Sequence, residues 1–275
     1  MRVEPAVTPM MQKLNARVLG RGSQTLVMAH GFGCDQRIWQ KLLPQLQSLP
    51  LKLVLFDYAG CGGSQVDEDA IADYPDLQAY ADDLLALLAE LQLSSVLLLA
   101  HSISSAIGML AAIRQPQRFK NILAITPSAR YQNAPDYYGG FDTADIEQLL
   151  QLMAQNQFGW AGILAPKVLD EPENSVVSQQ LTQSFLSNNP AFSRHFARLV
   201  FYVDIRAALP QVPIPVTIFY TKADMIVPQQ AIDYLVAKLP QARAVLLNVR
   251  GHYPQLCQPQ LLAEQIKREL GYGVV

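Results

Sequence analysis

Ser102, Asp224 and His252 are the residues of this chain whose types, settings and order support chemistry. Ser102 stands in Val96-Leu97-Leu98-Leu99-Ala100-His101-Ser102-Ile103-Ser104-Ser105, an apolar run that ends in a serine and passes into a helix-like segment. A serine held in a sharp strand-to-helix turn is exposed as a nucleophile. The residues two before and two after it must then be small, so that helix and neighbouring strand can approach. Ala100 and Ser104 fill those positions, where glycine is commoner. Asp224 follows an apolar run in Thr221-Lys222-Ala223-Asp224-Met225-Ile226-Val227-Pro228, and His252 follows another in Arg250-Gly251-His252-Tyr253-Pro254. A serine hydroxyl is a weak nucleophile until a base takes its proton and an acid orients that base. His30-Gly31-Phe32-Gly33, after the apolar residues 25–29, supplies a fourth part: a Gly-rich turn that can aim a backbone N–H at a developing oxyanion.

The order Ser, Asp, His along the chain separates an α/β-hydrolase from the chymotrypsin and subtilisin arrangements. Such a site needs strands whose C-terminal ends lie side by side, and the sequence offers them. Residues 25–29, 51–56, 96–101, 122–126, 216–221 and 244–249 read as strands. Between them lie helix-like patterns at 38–46, at 77–91 with Asp76 as cap, and at 103–114. Strands alternating with helices imply a mainly parallel sheet with helices on both faces, and catalytic residues at its strand ends.

The alternation stops between residues 127 and 206. Three apolar stripes at helical spacing replace it: Ile146, Leu149, Leu150 and Met153; Val177, Leu181 and Phe185; and Phe192, Phe196, Leu199, Val200 and Val203, the last opened by Asn189 and Pro190 as cap and first turn. Residues 127–206 are therefore expected to form an inserted helical lid over the strand ends, and residues 1–126 and 207–275 the hydrolase core. Most lid aromatics are expected to pack helices together, with Phe141, Trp160 and Phe201 turned into the pocket above Ser102.

Composition fits a compact enzyme of small, mostly uncharged substrates. Half of the 275 residues are apolar, and a net charge of −2 with 16% charged residues gives no electrostatic reason to expect nucleic acid or an anionic membrane surface. Cys34, Cys61 and Cys257 are odd in number and lack metal-ligand spacing, which suits a reducing compartment. Residues 1–15 carry no apolar leader core, and no run has the length of a membrane span. A cytoplasmic protein is expected, with no metal and no cofactor.

The remaining polar residues near the motifs have bland expectations. His30 should hold the turn rather than act as a base, and His101 should point away from the pocket. His195 should be solvated on its helix. Asp57, beside Gly60 and Gly62, should bond loop backbone. Ser104 and Ser105 should serve packing, and nothing near Cys34 would lower its pKa.

The chain resembles the α/β-hydrolase subfamily that contains the bacterial stress regulator RsbQ and the plant karrikin and strigolactone receptors. The likeness runs from about residue 14 to 270. It rests on His30-Gly31-Phe32-Gly33-Cys34-Asp35-Gln36, on Phe56-Asp57-Tyr58 with Gly60, Gly62 and Ser64, on His101-Ser102-Ile103-Ser104, and on Asp224 with Ile226-Val227-Pro228. In the lid it rests on Tyr137-Tyr138-Gly139-Gly140-Phe141-Asp142 and Phe158-Gly159-Trp160. The resemblance implies Ser102 as nucleophile, His252 as base and Asp224 as its orienter. It implies the backbone N–H groups of Phe32 and Ile103 as oxyanion donors, and Phe32, Phe141, Trp160, Leu164 and Phe201 as pocket walls. Ala100 departs from the family's usual glycine and is expected to affect rate rather than mechanism.

Two functions follow. One is hydrolysis of a small, mostly apolar ester or lactone through an acyl-enzyme. The other, implied by the resemblance, is an RsbQ-like signalling role, in which the protein binds or slowly hydrolyses a small hydrophobic ligand and regulates a protein partner. Fold, pocket and catalytic residues are common to both.

Overall fold

The computed structural model describes residues 7–272. After the short helix α1 (Pro9–Lys13) the chain lays down β1 (Arg17–Leu19), β2 (Gln24–Ala29), helix α2 (Leu43–Leu46), β3 (Leu51–Leu55), α3 (Leu77–Glu90), β4 (Val96–His101), α4 (Ile103–Arg114) and β5 (Phe119–Ile125). Four helices follow without a strand: α5 (Thr143–Gln155), α6 (Gln157–Leu169), α7 (Val176–Ser187) and α8 (Pro190–Phe201). The chain closes with β6 (Val216–Ala223), α9 (Gln229–Lys238), β7 (Ala242–Arg250), α10 (Pro254–Cys257) and α11 (Pro259–Glu269).

The seven strands form one sheet in the order β1-β3-β2-β4-β5-β6-β7. β1 is antiparallel to β3, and every other pairing is parallel. A parallel sheet covered on both faces has no solvent-facing side, so its strands read as unbroken apolar runs. β4 shows this directly, since all six of its residues are buried. Helices flank both faces, α3 packing on α4 and α2 on α11. The parallel pairings bring the C-terminal ends of β2, β4, β5, β6 and β7 to one side, and the four consecutive helices enter the chain there, between β5 and β6.

Two expectations need correction. The helix expected over 38–46 is a 3-10 turn, Gln36–Trp39, followed by the single turn of α2. Pro44 explains the break, because its ring and missing N–H suit the first turn of a helix and not its interior. The second difference is α6, which no apolar stripe announced. Asn156 caps it by accepting from the Gly159 amide at 2.8 Å, and its buried Trp160, Ala161, Ala165, Val168 and Leu169 hold it in place. Among the described residues no helix is long and apolar enough to cross a membrane.

Candidate active site

β4 ends and α4 begins at Ser102, whose backbone takes φ 55° and ψ −122°. A non-glycine residue in that region is strained by about 1–3 kcal/mol and persists only where its surroundings fix it. Here the Ser102 amide donates to the Ile125 carbonyl at 2.8 Å, while Ala100 and Ser104 are fully buried against neighbouring chain. Ser104 does more than pack, since its hydroxyl donates to the His30 carbonyl and ties the elbow to the β2 turn.

The structure brings Ser102, His252 and Asp224 together. His252 Nε2 lies 2.9 Å from Ser102 Oγ, and its Nδ1 lies 2.7 Å from Asp224 Oδ2. Asp224 Oδ1 accepts from the amides of Ile226 at 2.8 Å and Val227 at 3.2 Å, the side-chain-to-backbone turn that aspartate favours. With both carboxylate oxygens bonded, the group is held in one rotamer facing the imidazole. The Nδ1–H of His252 then points at the carboxylate and leaves Nε2 as acceptor for the serine proton.

His252 itself sits in a clamped loop. Its amide donates to the Val168 carbonyl at 2.6 Å, and Thr221 Oγ1 donates to the Gly251 carbonyl at 2.9 Å. Gly251 has φ +84°, and a Cβ there would overlap the carbonyl oxygen of Leu169, so the position requires glycine on both counts.

Phe32 and Ile103 flank Ser102. Ile103 opens α4, where the first N–H groups have no intrahelical acceptor. Phe32 lies in a turn closed by a bond from the Cys34 amide to the Gly31 carbonyl at 3.3 Å. His30 braces this turn: its Nε2 accepts from the Tyr58 amide at 3.0 Å, so the proton is on Nδ1, 2.9 Å from the Gly31 carbonyl. Burial pushes the His30 imidazole below the ordinary histidine range, which keeps it neutral.

A cavity of about 30 Å³ lies above Ser102. Phe32, Leu164 and Phe201 line it, with Val168, Phe185 and Val200 from the helices, Tyr131 from the segment between β5 and α5, and Ile226 and Tyr253 from the core side. Phe141 and Trp160 are not among the lining residues, contrary to expectation. Phe141 packs edge-on against Phe201 at 5.7 Å between ring centroids, and Trp160 stacks on Phe185 at 4.9 Å. Both stand one layer back, supporting walls rather than forming them.

Tyr131 was not anticipated. Its hydroxyl lies 3.2 Å from Ser102 Oγ, and burial pushes the phenol well above its usual range, so it remains a neutral donor. It occurs six residues past β5, in the region beyond the strand ends where ligands bind in open parallel sheets, and that placement was the available signal.

His195 was expected in solvent, but it is half-buried with Nε2 2.7 Å from the Tyr74 carbonyl. Asp57 behaves as expected, accepting from the amides of Gln36 at 2.8 Å and Gly63 at 2.9 Å. Burial pushes the Cys34 thiol far above its ordinary pKa, so it is no competing nucleophile.

Residues 26–265 match the alpha/beta hydrolase family. The chain is 34% identical over 261 residues to karrikin insensitive 2 receptor CA of Petunia hybrida, covering 94% of this chain and 96% of that one. It is 33% identical over 261 residues to a strigolactone esterase of Arabidopsis thaliana, covering 94% and 97%. A hydrolase from Oleispira antarctica superposes with a TM-score of 0.91 at 31% identity, covering 96% of each chain. With the family matched over most of its length and relatives above 30% identity end to end, this chain belongs to the alpha/beta hydrolase family, in its karrikin and strigolactone receptor-like branch, and is a hydrolase.

Proposed function

We propose that the protein hydrolyses a small, mostly apolar ester or lactone through an acyl-enzyme on Ser102. The observation that carries this is the continuous bonded chain from Asp224 through His252 to Ser102 Oγ, with steps of 2.7 and 2.9 Å, beneath an aromatic-walled cavity. His252 takes the serine proton as Oγ attacks the carbonyl carbon, and Asp224 holds the imidazolium that forms. The backbone N–H groups of Phe32 and Ile103 hold the tetrahedral oxyanion, a donor of this kind being worth about 10²–10³ in rate. His252 then protonates the departing alkoxide, and water activated by the same imidazole releases the acid. Apolar walls select an uncharged acyl group or lactone ring.

In this reading α5 to α8 form a lid. The cavity of about 30 Å³ holds no more than roughly two waters, against roughly 300–1,000 Å³ for sites that take organic ligands. Substrate therefore enters when these helices separate from the core. A soluble cytoplasmic enzyme free of cofactor fits the sequence.

A second reading is a signalling role, in which the lid's state reports a bound or slowly hydrolysed ligand to a protein partner. The closed cavity and the receptor name of a relative covering 94% of the chain favour it. Turnover separates the two. With a p-nitrophenyl ester series and an unsaturated lactone as probes, steady turnover in the range of about 1–10³ per second supports the enzyme. A single slow turnover with product retained on the protein by native mass spectrometry supports the signalling role. A fluorophosphonate should label wild type once, at Ser102, and labelling elsewhere overturns the nucleophile assignment in both.

A further inference from the structure

The carbonyl oxygen of His252 sits between two donors from different strands. His101 Nε2 lies 3.0 Å from it and Thr126 Oγ1 lies 3.1 Å from it. A carbonyl only accepts, so the proton of the His101 ring is on Nε2. Its Nδ1 is buried without a hydrogen-bond partner and faces Gly31, where any Cβ would overlap it.

Both donors are unfavourable choices by local criteria. A buried imidazole with an unpaired nitrogen carries a desolvation penalty that a phenylalanine ring would not. Thr126 has φ +45°, a region that penalises a β-branched residue and that glycine or asparagine would occupy more easily. Its own amide is held by the Phe219 carbonyl at 2.7 Å, so the strain is built in. These two costs converge on one acceptor, the carbonyl of the residue that supplies the base.

We propose that His101 and Thr126 are positioning residues for His252, jointly holding its carbonyl so that the imidazole stays aligned between Asp224 and Ser102. Neither touches the reacting atoms. Both belong to the support that carries the nucleophile: His101 is its chain neighbour, and Thr126 follows Ile125, whose carbonyl accepts the Ser102 amide at 2.8 Å. Nucleophile and base are thus referenced to the same two strand ends. Burial, then the neighbouring His252, keeps His101 uncharged. A neutral ring at 5.1 Å between centroids does not oppose the imidazolium that forms on His252.

The proposal rests on His252 being the base, and the test separates the two claims. Measure kcat and KM for p-nitrophenyl acetate in Thr126→Val, Thr126→Ser, His101→Phe, His101→Gln and His252→Ala, with the downfield proton resonance of His252 Nδ1–H as a second readout. Thr126→Val keeps the shape and loses the donor. It and His101→Phe should lower kcat by about 10- to 100-fold with KM within about twofold, and broaden or shift that resonance. Thr126→Ser and His101→Gln retain a donor and should return kcat to within about threefold of wild type. Should His101→Phe fail to fold, the Thr126 pair decides alone. Wild-type kcat in Thr126→Val, or an equal loss in Thr126→Ser, overturns the positioning role. Full activity in His252→Ala overturns the assignment of the base itself.

Discussion

The amide of His252 donates to the carbonyl of Val168 at 2.6 Å, so the histidine is bonded directly to the last turn of α6. Its carbonyl is held by strand ends of the core and its amide by one of the inserted helices. A displacement of α6 that opens the cavity therefore acts on the loop that holds His252. The Arg250 and Asp170 side chains pair across the same junction. That pair is exposed, and such pairs are worth about 0–1 kcal/mol, so the backbone bond dominates the link.

Gly251→Ala tests this junction. The added methyl meets both a positive φ and the Leu169 carbonyl oxygen, which neither backbone can yield without moving the His252 loop off α6. Ester hydrolysis should fall at least about 100-fold, as expected for a misplacement near 1 Å. Arg250→Ala should change kcat little. Equal kinetics in Gly251→Ala and wild type would show that the loop tolerates release from α6.

Tyr131→Phe removes the hydroxyl that faces Ser102 Oγ. The Ser102 proton is committed to His252, so the Tyr131 hydroxyl donates to Oγ across 3.2 Å. A neutral hydrogen bond contributes about 0.5–1.5 kcal/mol, and this one holds the Ser102 side chain in the rotamer that faces His252. The variant should acylate about 3- to 15-fold more slowly in stopped-flow bursts, with its melting temperature nearly unchanged. An unaltered burst rate would assign Tyr131 to the cavity wall alone.

The sheet could be read from the sequence because its central strands are buried on both faces and appear as largely apolar runs, as in β2 and β4. β1 escaped notice because three residues of mixed exposure leave no pattern. α6 escaped because Gly159, Gly162 and Pro166 each argue against a helix. Tertiary packing against α5 and α7 overrides that local preference. At the site, the order of Ser102, Asp224 and His252 was visible because each follows a strand. The depth of an aromatic within the helical layer was not. The family resemblance names both Trp160 and Phe201 as pocket walls, but only the packing of α6 on α7 decides that Trp160 backs Phe185 while Phe201 lines the cavity.

That difference is measurable. Trp160 is buried and stacked, so Trp160→Ala should destabilise the fold by about 3–5 kcal/mol. The order of preference across p-nitrophenyl acetate, butyrate and octanoate should stay as in wild type. Phe201→Leu opens space beside Ser102 and should shift preference toward longer acyl chains at a smaller cost in stability. A chain-length shift in Trp160→Ala with a small stability loss would move that ring into the cavity.

Acid should weaken the fold before its carboxylates titrate. Burial pushes the imidazoles of both His30 and His101 below the ordinary histidine range of about 6.5, and for His101 the neighbouring His252 adds to the effect. As pH falls through 6.5 the unfolded chain takes up protons that the native state refuses. Stability therefore falls with falling pH, by up to about 1.4 kcal/mol per pH unit for each such histidine, until the native groups protonate. Above about pH 8 neither form binds these protons and the contribution is constant. Urea midpoints measured from pH 8 to pH 5 should decline for wild type and decline less steeply for His101→Phe, which leaves the unfolded chain one fewer site to protonate. Parallel curves for the two proteins would show that His101 takes up its proton in the native state as readily as in the unfolded chain.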